Sequence, residues 1–188
     1  PVSSQFVPAS FVGSVRCVSG TSFYQLSECG GIYSPHVRIV RQLWMEGQPV
    51  KNVRVDKMEL ISAITAAAQD RGREPPFRPE LLKAKMRAVL TIAAEQRHDS
   101  LVLGAFGCGF FKNPPDSVAE IVEGLLKTEF AGAFKFVLFA VLGANTDNNK
   151  AFAKRFPAAN LNALRARIML EYPKGKPQEA EDPKDDGW

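Results

Sequence analysis

Apolar residues in this chain fall into short unbroken blocks and spaced stripes, and the two patterns alternate along the sequence. Leu101 to Leu103 and Phe134 to Leu142 (FKFVLFAVL) are blocks, the pattern of strands covered on both faces. Glu80 to Gln96 is a stripe: Leu82, Met86, Val89 and Ala93 recur at helical spacing, which turns Lys83, Lys85 and Arg87 towards water. Val118, Ile121, Val122, Leu125 and Leu126 repeat that spacing, with Ser117 and Glu120 as a capping box at the helix start. Val37 to Leu43 alternates apolar and basic side chains, a strand with one wet face, so Arg38 and Arg41 are solvated. Val50 to Ala68 begins as a β-rich run and turns helical near Lys57, and Arg71 to Pro79 is a loop by its glycine and prolines. The polar, glycine-rich start of the chain carries apolar clusters at Phe6-Val7 and Phe11-Val12 that supply one edge strand. Asn148 to Phe156 and Asn160 to Tyr172 read as closing helices separated by Pro157. From Pro173 to Trp188 there is no periodicity and much charge and proline, so the expected organisation is one domain over 1–172 and a disordered tail over 173–188. The alternation predicts a three-layer α/β/α domain with a mostly parallel central sheet.

Between the block at Leu101 and the stripe at Val118 lies GAFGCGFFKNPPDS, which concentrates the chemistry of the chain. Gly104, Gly107 and Gly109 allow positive φ and close backbone approach where a side chain would block a ligand. A strand, a glycine loop and a helix in that order present backbone N–H groups to an oxyanion without needing a lysine. The motif is neither a dinucleotide fingerprint nor a P-loop, and three glycines can also make a tight turn and nothing more. The block Phe134 to Leu142 favours the ligand reading: it ends in GANTDNNKAF, and two adjacent strand ends form one crevice.

Composition narrows the picture. At 188 residues and 45% hydrophobic content the chain can bury a sizeable core. Its net charge of +4 is too small to mark a nucleic-acid binder, but its field favours an anionic ligand. Arg38, Arg41, Lys51, Arg54 and Lys57 are the basic positions a nucleic-acid module would use, and the aromatic interleaving needed for base stacking is poor. Cys17, Cys29 and Cys108 have no metal-binding spacing and cannot all pair, which points to reduced thiols in an intracellular compartment, cytoplasmic or nuclear. A nucleophilic Cys108 would want a nearby base, and His36 and His98 each stand alone, which suits surface or packing roles better than metal binding. No metal or cofactor is expected. Neither a membrane-spanning run nor a signal peptide is visible, so a soluble monomer is the expectation.

GGIYSP (Gly30 to Pro35), LVLGAFGCGFFKNPP (Leu101 to Pro115) and FAVLGANTDNNKAF (Phe139 to Phe152) resemble the macrodomain core of the microbial-type poly(ADP-ribose) glycohydrolases. The similarity runs from about Ser27 to Phe156. It implies a macrodomain that holds ADP-ribose, or an ADP-ribosylated protein, with the glycine loop around the diphosphate. Carried over by position, Gly104, Ala105, Phe106, Gly107, Cys108 and Gly109 line the diphosphate and Phe110 or Phe111 lies against the distal ribose. Asn113 belongs to the same ligand-binding set, and Asn148, Asn149 and Phe152 flank the adenosine end.

One departure bears on activity. Family members carry, upstream of the matched segment and in a longer N-terminal region, a glycine run followed by Gln-Glu-Glu, whose glutamate is the acid/base on the ribosyl bond. Here Gly13 to Leu26 occupies that region, with Arg16, Cys17 and Val18 where carboxylates are wanted. Arginine cannot deliver a proton at neutral pH, and Glu28 is the one local acidic residue. The expectation is an ADP-ribose-binding macrodomain without efficient hydrolysis. The alternative is an active glycohydrolase whose acid is Glu28, another carboxylate or a group supplied by another chain, or one whose activity lies outside this sequence.

Overall fold

A computed structural model of the chain describes residues 28–40, 60–73, 76–143 and 145–157, together with the backbone of 3–9. Its elements in order are β1 (Ser3–Ala9), β2 (Gly31–Arg38), β3 (Leu60–Ala66), α1 (Pro79–Glu95), β4 (Ser100–Leu103), α2 (Pro115–Lys127), β5 (Phe136–Leu142) and α3 (Asp147–Arg155). All of them fall in one compact unit, Pro1–Ala158. The expected helix Asn160 to Tyr172, the tail from Pro173 and the boundary between them lie outside the described residues, as do Gly13 to Leu26, Arg41 and Lys51 to Lys57.

β5 is the centre of a three-stranded parallel sheet ordered β1-β5-β4, with Ser3 opposite Phe136 on one side and Ser100 opposite Phe136 on the other. Its apolar block is explained by that position, since both edges are hydrogen-bonded and one face is sealed. Val137, Phe139 and Val141 point into the core, where they meet Leu82, Met86, Leu90 and Ala93 of α1, Val118, Val122 and Leu125 of α2, and Phe152 of α3. Phe139 stacks on Phe156 with ring centroids 4.1 Å apart. On the other face of the sheet Val102 and Leu142 are 70% and 68% exposed, while Leu138 and Ala140 are half-buried and Phe136 is buried. Among the described residues, then, α1, α2 and α3 form one helical layer on one face of the sheet.

The expectation of a mostly parallel sheet holds for this sheet and fails for the other. β2 and β3 pair antiparallel as a separate ribbon, Gly31 opposite Ala66 and Arg38 opposite Leu60. Its register slips between Ser34 and Val37, where Pro35 has no N–H to donate and His36 adopts a φ of 55°. Leu60 to Ala66 is thus a strand where the sequence suggested a helix. Ile61, Ile64 and Thr65 are β-branched, and pairing with β2 exploits that stiffness.

Both long helices begin on proline rather than on a hydroxyl cap. α1 starts at Pro79 behind Arg78, and α2 at Pro115 behind Pro114, neither with a side-chain cap. The expected Ser117/Glu120 capping box is not formed, because the fixed φ of Pro115 sets the helix start three residues earlier. Glu120 instead pairs with Arg155 of α3 at 3.0 Å, and Glu123 does the same at 3.0 Å. α1 ends where Arg97 turns left-handed at φ 59° and the His98 N–H returns to the Ala93 carbonyl at 3.0 Å, which directs the chain into β4.

Candidate functional site

β4 and β5 run parallel and side by side, so the loop after Leu103 and the turn at Gly143 emerge at the same sheet edge. The loop between β4 and α2 is built from two stacked turns. The Cys108 N–H donates to the Ala105 carbonyl at 3.0 Å and the Lys112 N–H to the Gly109 carbonyl at 3.0 Å. Across them the Asn113 N–H donates to the Gly107 carbonyl at 3.0 Å, closing the loop at its base. Among the described residues, the N–H groups of Phe106, Gly107, Gly109, Phe110 and Phe111 donate to no backbone carbonyl. The first-turn N–H groups of α2 follow directly after the loop. Clustered unused amides beside a helix N-terminus are the physical requirement for oxyanion binding.

The three loop glycines do different work. Gly107 has a φ of 72°, and a Cβ there would overlap the Asn113 amide and stand 2.5 Å from the Ala68 Cβ. That glycine is demanded from inside the protein. A Cβ on Gly109 would meet nothing within 4 Å, and one on Gly104 would only reach the Ala140 carbonyl at 3.8 Å, an ordinary contact. Among the described residues, the space over Gly109 is therefore open.

The loop is anchored by Asn113, expected in the ligand-binding set and found buried, and by Gln69 and Arg71, which were not among the expected site residues. Asn113 is 1% exposed and its Nδ2 donates to the Gln69 carbonyl at 2.9 Å and to the Gly107 carbonyl at 3.0 Å. Buried Gln69 in turn donates from Nε2 to the Pro76 carbonyl at 2.9 Å, and its Oε1 accepts the Arg78 N–H at 3.0 Å. Arg71 donates from its backbone to the Phe111 carbonyl at 3.2 Å and from its guanidinium to the Lys112 carbonyl at 2.9 Å. The signal available in the sequence was a polar Gln-Asp-Arg-Gly run directly after an apolar strand.

Phe110 is 88% exposed, and the half-buried Phe111 lies edge-on to it at 5.9 Å. Cys108 is buried, and burial pushes its thiol up to about 12, which favours the protonated form at neutral pH. At the β5 side, Thr146 caps α3 by accepting the Asn149 N–H at 3.2 Å. Asn149 is buried, with its Nδ2 unpartnered among the described residues, and Asn148 is half-buried. Phe152 differs from the adenosine-flanking expectation: it is fully buried between Phe139 and Phe156, with no surface to offer a ligand.

Glu28 stands in the turn before β2. Its carboxylate is mostly exposed and ion-paired to Arg78 at 3.0 Å, and its backbone carbonyl accepts a hydrogen bond from Lys85 Nζ. Lys85 is buried, not turned to water as its helical position suggested, because that carbonyl gives its ammonium a partner. His98 hydrogen-bonds the Tyr33 hydroxyl at 2.9 Å in a packing role, and His36 sits exposed in the β2 bulge.

A solved poly(ADP-ribose) glycohydrolase from Deinococcus radiodurans, in complex with ADP-ribose, is 35% identical to this chain, with a TM-score of 0.56. The match covers 71% of this chain and 53% of that one. In fold and sequence the chain is similar to the microbial poly(ADP-ribose) glycohydrolases. The glycohydrolase from Thermomonospora curvata is 33% identical, covering 67% of this chain and 47% of its own, with a TM-score of 0.57. The same enzyme bound to the inhibitor ADP-HPD gives 33% identity, 67% and 48% coverage and a TM-score of 0.58. This chain therefore spans about half the length of the glycohydrolases it matches. No protein-family model matches the chain, and no curated protein does so. Among the described residues, no helix is long and apolar enough to cross a membrane.

Proposed function

We propose that this glycohydrolase-like chain binds ADP-ribose, free or attached to a protein, through the loop from Gly104 to Phe111, and that by itself it does not release ADP-ribose from polymer efficiently. The observation that carries the first part is the set of loop amides that have no backbone acceptor among the described residues, with no described atom within 4 Å of a Cβ on Gly109. A diphosphate satisfies several of those donors at once, and the exposed Phe110 ring gains a partner if a ribose covers it. Glycohydrolases a third identical to this chain were solved with ADP-ribose and with an inhibitor in place, which makes this ligand the leading choice.

The second part rests on the chemistry of proton delivery. Gly13 to Leu26 contains no carboxylate, and Glu28 is an exposed partner of Arg78. A positioned acid/base is worth about 10²- to 10⁴-fold in rate. Amides that grip a diphosphate hold the substrate without supplying that proton.

Titration calorimetry with ADP-ribose tests the reading, and a dissociation constant on the order of micromolar, about 8 kcal/mol, is expected. Absence of saturable binding as the ligand approaches millimolar rejects it.

A further inference from the structure

We propose that Asn113 is a positioning residue for the loop: it holds the backbone in its anion-ready shape without touching the ligand. The inference deepens the ADP-ribose reading and rests on it. Asn113 is 1% exposed, so its side chain has no surface for a ligand, yet it spends both an amide and its own N–H on the loop. Both acceptors of Nδ2 are carbonyl oxygens, of Gln69 and Gly107, which fixes the amide orientation chemically, since Oδ1 in that place would face like charge.

The consequence falls on one peptide plane. The Gly107 carbonyl accepts from Asn113 twice, at 3.0 Å from Nδ2 and 3.0 Å from the backbone. The N–H at the other end of that peptide, on Cys108, is held by the Ala105 carbonyl at 3.0 Å. A flip of this peptide would break all three of these bonds and turn the Gly107 oxygen towards the Ala105 carbonyl, and the φ of 72° at Gly107 leaves the hydrogen bonds to oppose it. Asn113 thus holds the Gly107–Cys108 peptide in the orientation that satisfies both of its ends, and with it the path of the loop on either side. It also ties the loop to the segment after β3 through the Gln69 carbonyl at 2.9 Å. Binding to a loop already in this shape avoids the ordering cost that a mobile one would charge.

The test uses Asn113→Asp, which keeps the shape and loses both Nδ2 donors, and Asn113→Ser, which loses them without adding charge. Calorimetry with ADP-ribose is combined with amide hydrogen exchange of the ligand-free proteins. The expected result is affinity lowered roughly tenfold or more, the scale of one buried group losing its partner. Faster exchange at Cys108 should accompany it, while the β5 amides keep their protection. Unchanged affinity, or protection lost equally across β5, overturns the proposal. Should neither variant fold, the wild type decides: its Cys108 amide must be protected before ligand is added, and fast exchange there overturns the proposal too. A wild type that does not bind ADP-ribose at all refutes the underlying reading instead, and the positioning role falls with it.

Discussion

The side-chain amide of Asn113 fills the space that a Cβ on Gly107 would occupy. Two residues six apart in a glycine loop are therefore locked to each other, and the lock separates glycines required by the protein from those left for a ligand.

Gly107→Ala should be a folding lesion. It combines a left-handed backbone with overlap against Asn113 and Ala68, about 1–3 kcal/mol for each effect. Gly109→Glu should leave the melting temperature near that of the wild type, since nothing lies within 4 Å of its Cβ. Thermal unfolding of the pair checks this, and equal losses would show that the loop glycines are not divided in this way.

Phe110 and Phe111 should separate in the same manner. Phe110→Ala is expected to change stability by less than about 0.5 kcal/mol, as for other exposed positions, while weakening ADP-ribose by about 1 kcal/mol. Phe111→Ala removes a half-buried ring and should cost more stability than Phe110→Ala. Denaturant titration beside calorimetry gives both numbers.

Phe152→Ala should cost about 3–5 kcal/mol of stability, because the ring is sealed between Phe139 and Phe156. A variant that folds with wild-type stability but loses ligand would return Phe152 to the adenosine end.

Cys108 sets an alkaline limit. Burial raises its thiol from 9.0 to about 12 in the folded chain, so above pH 9 the unfolded chain releases a proton that the folded one retains. Its contribution to stability is complete below pH 9 and is lost as pH climbs towards 12. Cys108→Ala should flatten that part of the stability profile, measured by denaturant midpoint against pH. Iodoacetamide at neutral pH should label half-buried Cys29 well before Cys108.

Much of this was legible in the sequence, for identifiable reasons. β5, α1 and α2 are written in long apolar patterns that leave one solution each, and β5 does sit between two strands. β3 is ambiguous in sequence because Ile61, Ala63, Ile64 and Ala67 also fit a helical stripe, and pairing with β2 selects the strand. That β1 pairs with β5, far away along the chain, is a tertiary fact with no local mark. Lys85 follows the same logic: its helical position says water, and a carbonyl on a distant turn says otherwise. At the site, the glycines announced the loop, but not that Gly107 serves packing and Gly109 faces open space. Nor could spacing show that Asn113 and Phe152 are interior residues.

Glu28→Gln should leave ADP-ribose affinity unchanged and lower stability by no more than about 1 kcal/mol, since it removes one exposed ion pair. With poly(ADP-ribose) as substrate, neither the wild type nor this variant should release product at the rate of a competent glycohydrolase. Robust turnover abolished by Glu28→Gln would make Glu28 the acid, and robust turnover unaffected by it would place the acid elsewhere.

The central claim is that open loop amides over Gly109 hold a diphosphate, and calorimetric titration of ADP-ribose into the wild type and Gly109→Glu tests it most directly. Micromolar binding to the wild type, abolished in a Gly109→Glu variant that melts at the same temperature, is the predicted result. Equal affinity in the two proteins would contradict the claim, because a carboxylate cannot share that space with a diphosphate.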